Sequence, residues 1–145
     1  MELKFRCDCP ITSAVDVLGD RWMLVVIKQM LLEERKTFKD FMESDEAIAT
    51  NILSAKLKLL EKLQLITKSK LPNNKKTNLY LLTEKGLSLA GTIVELALWS
   101  DENLRSLNRK MRKEESIDAM KSDKEGFVES LKQAYRERRG EYGLA

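Results

Sequence analysis

Histidine is absent from this 145-residue chain, and cysteine and proline occur only twice each. Without imidazole there is no histidine acid or base and no histidine metal ligand. Cys7 and Cys9 stand one residue apart. Such a Cys-Asp-Cys pair cannot alone complete a four-ligand zinc site, and it is too tight for an ordinary structural disulfide. Both are expected as free thiols in a reducing compartment, and no metal or cofactor is expected. Long hydrophobic runs are missing too. The longest, Met23 to Leu32, is broken by Lys28 and Gln29, and it falls short of the ~20 apolar residues that span a bilayer. The opening Met-Glu-Leu-Lys-Phe-Arg has no apolar stretch of the signal-peptide kind. A cytoplasmic location without a membrane partner is therefore expected. Neither a glycine-rich phosphate loop nor a nucleophile motif occurs, which argues against an enzyme.

What the chain does have is charge, unevenly spread. Hydrophobic residues make up 43% and charged residues 34%, the balance of a globular domain long enough to bury a core. The net charge is +3, yet residues 1–113 carry +5 and residues 114–145 carry −2. The excess concentrates further: Ala47 to Lys85 holds eight lysines against Glu61 and Glu84, a local net of +6. A positive excess gathered on one face implies a polyanionic partner.

The periodicities place this segment in a helical chain. Cys9-Pro10 opens a short helix to Val17 or Leu18, with proline in the first turn and Ala14, Val15 and Leu18 on a face expected to be buried. Gly19 ends it. Asp20 is a candidate N-cap for an apolar helix from Arg21 to about Leu32, expected at the centre of the core. Thr37, with Asp40 three residues on, suggests a capping box for a short helix whose Phe38, Phe41 and Met42 face inward. After Ser44-Asp45-Glu46 comes a helix from about Thr50 to Leu63. Leu53, Leu57 and Leu60 form its apolar stripe, opposite Thr50, Asn51, Ser54 and Lys58. Ile66 to Leu71 and Thr77 to Leu82 read as strands around Pro72-Asn73-Asn74, where asparagine tolerates positive φ. Thr83 caps an expected long helix to about Asn103, which Leu104, Leu107 and Met111 extend. Ser116 to Asp123 reads as a weak connector before a last amphipathic helix, about Lys124 to Arg139. The order predicts a mainly α fold with a small β-hairpin wing, a winged helix-turn-helix.

The residues that carry a family resemblance run in order along the chain: Cys9-Pro10, Gly19-Asp-Arg-Trp22, Phe38-Lys-Asp-Phe41, Ile48-Ala-Thr-Asn-Ile-Leu53 with Lys56-Leu and Leu60-Glu61, Tyr80-Leu-Leu-Thr-Glu-Lys-Gly86, and Trp99. Together they resemble the HxlR-type regulators, MarR-like winged-helix proteins, over roughly residues 7 to 112. The resemblance implies residues 1–112 as a DNA-binding and dimerisation domain with N- and C-terminal dimerisation helices, followed by a C-terminal helical extension, 113–145. Two departures stand out. Gln64 occupies a position where the family often has glycine; if left-handed, it costs about 1 kcal/mol relative to glycine. Thr37 stands where the family often has arginine, so no backbone contact is inferred there.

The candidate site follows from these pieces. Thr50, Asn51 and Ser54 are expected to read the major groove, with Lys58 on phosphate. Lys68, Lys70, Lys75 and Lys76 are expected to neutralise backbone phosphates, with Asn74 at the wing tip touching the minor groove. Cys9 sits at a helix N-cap, where the dipole favours thiolate. The resemblance implies an electrophile or oxidant sensor there, with Cys7 as a resolving or intermolecular thiol. Trp22 and Trp99 are expected in core or dimer packing. The partners implied are double-stranded DNA, a second copy in a homodimer on a palindromic operator, and a small-molecule or electrophile inducer. A winged-helix protein-protein interaction module is the rival reading of the same faces.

Overall fold

A computed structural model describes residues 3–113 and 116–143. Helix α1 spans Pro10–Leu18, α2 Met23–Leu32, α3 Phe38–Met42 and α4 Thr50–Lys62. Strands β1 (Ile66–Leu71) and β2 (Asn74–Leu82) form a two-stranded antiparallel sheet. Helices α5 (Glu84–Leu87), α6 (Ala90–Asn103), α7 (Ile117–Ser122) and α8 (Lys124–Gly140) follow. The architecture is a winged helix-turn-helix with added C-terminal helices.

The core is built where the apolar periods converge. From α2, Met23, Val26, Ile27 and Met30 are fully buried. They meet Phe41, the leucine stripe Leu53, Leu57 and Leu60, and the strand residues Ile66 and Leu82. Each such side chain contributes roughly 1.5–3 kcal/mol on burial. Phe41 stacks edge-on against Tyr80, 6.4 Å between centroids, joining α3 to the wing.

Local chemistry explains most boundaries. Asp20 caps α2 as expected, but from a turn further out: its Oδ1 accepts from the N–H of Trp22 and Met23, both at 2.8 Å. The helix therefore starts at Met23, not Arg21. The Thr37–Asp40 capping box is complete. Helix α4 ends in paired reverse bonds, Gln64 N–H to Glu61 O and Leu65 N–H to Leu60 O, both 2.9 Å. That closure requires a left-handed residue at Gln64, whose φ is +62°.

Several expectations are corrected. The long helix from Thr83 is two helices. The Thr83 hydroxyl accepts from Gly86 N–H at 3.1 Å, and the Ser88 hydroxyl turns back to Lys85 O at 2.5 Å. The chain then tightens, Leu89 N–H reaching Gly86 O at 3.1 Å, before α6 begins. A Cβ on Gly86 would lie 2.1 Å from Leu65 O, so α5 packs against the wing root at backbone contact distance. Helix α6 stops at Asn103; Leu107, 80% exposed, does not extend it. The supposed connector Ser116 to Asp123 contains α7, whose Ile117 and Met120 enter the core. Strand β2 begins at Asn74 rather than Thr77. Positive φ among described non-glycine residues occurs at Glu34, Ala47 and Gln64, not in the asparagine turn. Met42 faces outward, as do Ala14 and Val15, and α1 buries no residue. The apolar period of α1 is real and its Leu18 packs against the core, but among the described residues nothing covers Ile11, Ala14 and Val15. Trp22 is half-buried against the core, whereas Trp99 is 58% exposed.

Candidate nucleic-acid interface

The helix-turn-helix is set by α3, a turn through Ala47 and α4. The turn is held from inside: Gln29, fully buried on α2, donates to Glu46 at 2.9 Å, and Lys28 pairs with the same carboxylate. This places Ile48 in the core and sends Thr50 and Asn51 out to solvent. Helix α4 has Ala49 at its N-cap, with no side-chain cap and no acidic residue in its first turn. Its first N–H groups are therefore open to an anion, which the helix dipole favours.

Along the outward face of α4, Asn51, Ser54, Ala55, Lys58, Leu59 and Lys62 line one shallow groove. A second concavity lies between α4 and the wing, where Ser54 and Lys58 share a surface with Lys68, Asn78 and Tyr80. The strand register explains this. Lys68 pairs across from Tyr80 and Lys70 from Asn78, so both lysines project from the same sheet face. Lys70 Nζ donates to Asn78 Oδ1 at 2.6 Å. Beyond Lys70 the register slips: Leu71 is opposite Asn74. Lys75 and Lys76 thus sit in an irregular, exposed tip, and the Lys76 N–H is held by Asn74 Oδ1 at 3.1 Å.

The lysines divide by environment. Lys58, Lys68, Lys75 and Lys76 are exposed and make no salt bridge among the described residues. Lys56 is turned inward to Asp20 at 2.5 Å. Lys85 Nζ donates to Leu63 O at 3.0 Å, closing the end of α4. Part of the local +6 therefore serves the fold. Desolvation acts to raise the Asp20 carboxyl, but the Lys56 ammonium and the N–H groups of Met23 and Trp22 prevail and hold it below the usual carboxylate range.

Cys9 occupies the N-cap of α1, half-buried, and Cys7 is exposed. Both are free thiols. Cys9 Sγ makes no capping hydrogen bond of ordinary geometry. The thiol is nonetheless pulled below its ordinary pKa, first by the Thr12 N–H, then by the Thr12 hydroxyl and the Ile11 N–H, against a smaller effect of burial. Arg6 does not face it: Arg6 pairs with Asp16 at 2.6 Å, tying the cysteine-bearing arm to α1. Among the described residues, no cluster of three or more His, Cys, Asp or Glu is placed to hold a metal, and no helix is long and apolar enough to cross a membrane.

Ile11 and Val15 on α1, with Phe5, are 77%, 51% and 53% exposed, and Leu96 and Trp99 project from α6. A cleft of about 360 Å³ lies between α1, the end of α4 and α5, lined by Phe5, Val17, Leu18, Leu63 and Leu89 with Lys85 at its side. Sequence reasoning did not reach the residues that hold the wing from behind. Tyr80 N–H donates to Lys36 O at 2.8 Å, and Tyr135 and Arg139 of α8 bind Leu82. Only the four-residue apolar spacing through Tyr135 hinted that this side of α8 packs inward.

Comparison with known proteins agrees with this geometry. The model of the "HxlR-like helix-turn-helix" family matches residues 17–108. The HTH-type transcriptional regulator YodB of Bacillus subtilis is 34% identical over 95 residues, 65% of this chain and 84% of YodB. The uncharacterized HTH-type regulator YvaP of the same organism is 30% identical over 95 residues, 65% of this chain and 87% of its own length. The solved reduced form of YodB superposes with a TM-score of 0.55 at 30% identity, covering 69% of this chain and 98% of that one. The diamide-treated form gives 0.52 at 32%, covering 68% and 97%.

Proposed function

The chain belongs to the HxlR-like helix-turn-helix family of transcriptional regulators, and we propose that it acts as a homodimer on a palindromic operator, in the cytoplasm. It is a DNA-binding regulator and not an enzyme. Thr50, Asn51 and Ser54 read base edges in the major groove. Lys58, Lys68, Lys70, Lys75 and Lys76 meet phosphates, and Asn74, which holds the Lys76 N–H, touches the minor groove from the wing tip. The observation that carries this reading is the shared concave surface of α4 and the wing, where Lys58 and Lys68 stand exposed and, although Glu61 also lines it, make no salt bridge among the described residues. Residues 1–112 do this work, with 113–145 as an extension.

The dimer is supported by the apolar surface that α1 and α6 expose through Ile11, Val15, Leu96 and Trp99. A second copy related by a two-fold axis would bury it and set the two α4 helices about one DNA turn or a multiple apart. The input acts through that geometry. Cys9, with its lowered pKa at the N-cap of α1, is the sensor for electrophiles or oxidants, and Cys7 is the resolving or intermolecular thiol. The reduced and diamide-treated states in which YodB was solved support a thiol input. The apolar cleft beside α1 supports a second input, a small ligand, since its volume falls in the range of ligand pockets.

Selection of bound duplexes from a random or genomic pool, with the protein reduced and oxidised, tests these elements together. The expected product is a two-fold symmetric site whose recovery changes with thiol state. Binding that does not weaken steeply with salt would instead favour a protein-interaction module. A Cys9→Ser protein that responds to oxidant like the wild type would remove the sensor.

A further inference from the structure

The edge of β2 that faces away from β1 is unpaired within the hairpin, yet distant parts of the chain satisfy it. Leu82 N–H donates to the Tyr135 hydroxyl oxygen at 2.8 Å, and Arg139 Nη1 donates to Leu82 O at 3.0 Å. Tyr135 and Arg139 are 4% and 7% exposed. One residue beyond the cap Thr83, Glu84 receives Arg136 Nη2 at 2.8 Å and Arg139 Nη2 at 2.5 Å. Arg138 stacks over the Tyr135 ring at 5.3 Å and reaches Leu31 O at 3.3 Å, tying α8 to the end of α2. All of these donors and acceptors on α8 lie outside the family match, which ends at residue 108.

Position along the strand gives this cluster leverage. Lys76 is six residues from Leu82, so the tip stands roughly 20 Å from the root at the usual rise per residue. A rotation of about 3° at the root moves the tip by about 1 Å, enough to degrade a phosphate hydrogen bond. Among the described residues the hairpin has two strands and no third strand to fix its tilt, so beside the Tyr80 N–H to Lys36 O bond it is α8 that holds the root.

We propose that α8 is a strut that sets the angle of the wing, with Tyr135, Arg136 and Arg139 as positioning residues for phosphate contact by Lys75 and Lys76. The proposal rests on the wing contacting DNA, as argued above.

Tyr135→Phe removes the acceptor while keeping the ring; Glu84→Gln removes the charge that holds both arginines. In the full chain, each is expected to weaken binding to a pool-selected duplex about 3- to 10-fold, the value of one hydrogen bond. The sign for Glu84→Gln is diagnostic. Loss of a negative charge alone would tighten binding to DNA, whereas release of the strut weakens it. In a Lys75→Ala/Lys76→Ala background the loss should vanish, because the effect passes through the tip. A spin label at Asn73→Cys, with Cys7 and Cys9 changed to serine, should become more mobile in both variants without any DNA. Unchanged label mobility, or an affinity loss of equal size with and without the wing lysines, would overturn the proposal. If Tyr135→Phe fails to fold, Glu84→Gln carries the test alone, its carboxylate being largely exposed. If the wild-type protein binds no duplex, the DNA reading fails, while the label mobility still decides the strut.

Discussion

Among the described residues two kinds of surface are left uncovered, and they are opposite in character. The face of α4 and the wing carries polar residues and lysines, of which Lys58, Lys68, Lys75 and Lys76 make no salt bridge among the described residues. Helices α1 and α6 carry exposed Ile11, Val15, Leu96 and Trp99. Exposed charge keeps its hydration and loses little by staying unpaired, so it can wait for a polyanion. Exposed apolar side chains gain from leaving water wherever they find a match. The first surface therefore suits transient, salt-sensitive contact, and the second a lasting one.

The apolar surface offers the largest effect. Ile11→Asp combined with Trp99→Asp should abolish the dimer in sedimentation and lower operator affinity about 100-fold or more, since each half-site would then be bound alone. An intact dimer would show that the seam lies elsewhere. On the basic face, Lys75→Ala with Lys76→Ala should reduce the slope of log affinity against log salt by about 2, near 0.9 per phosphate contact. Its unfolding midpoint should not move. Lys56→Ala sharpens the contrast from within the same segment. Its partner is Asp20, so it should cost up to about 1 kcal/mol of stability in denaturant titration and leave the salt slope intact.

A fourth prediction concerns acid. The Arg136 and Arg139 hydrogen bonds hold the Glu84 carboxyl down to about 2 from 4.5. A depressed folded-state pKa gives stability that is fully present above about 4.5 and lost as the pH falls toward 2. Glu84→Gln should therefore flatten the fall in unfolding midpoint across that window, and an unchanged curve would refute it. The smallest change is a gain: Gln64→Gly, at φ +62°, should stabilise the chain by about 1 kcal/mol.

Local signals were legible where a side chain acts on its own neighbourhood. The Thr37–Asp40 box, the Asp20 cap and the leucine stripe of α4 all depend on residues within a few positions, whereas the left-handed Gln64 was raised only by the family resemblance. The break between α5 and α6 was not legible, because it follows from backbone contact between Gly86 and Leu65, 21 residues earlier in the chain. The pattern in α7 was too short to outweigh its polar residues until Ile117 and Met120 met the core. The outward α1 face misled for a different reason. Periodicity reports that a face is to be covered, and says nothing of which chain covers it.

Composition and order alone determined that this is a winged helix-turn-helix with its positive charge gathered around the wing. Helix period, caps and turn residues are properties of short segments, and they suffice for the elements and their order. Only the tertiary structure decided which lysines face outward and which close α4 or pair with Asp20. It alone brought Tyr135 to Leu82, 53 residues away. Those choices depend on which segments share a surface after folding, and packing of distant backbone sets that, not local preference.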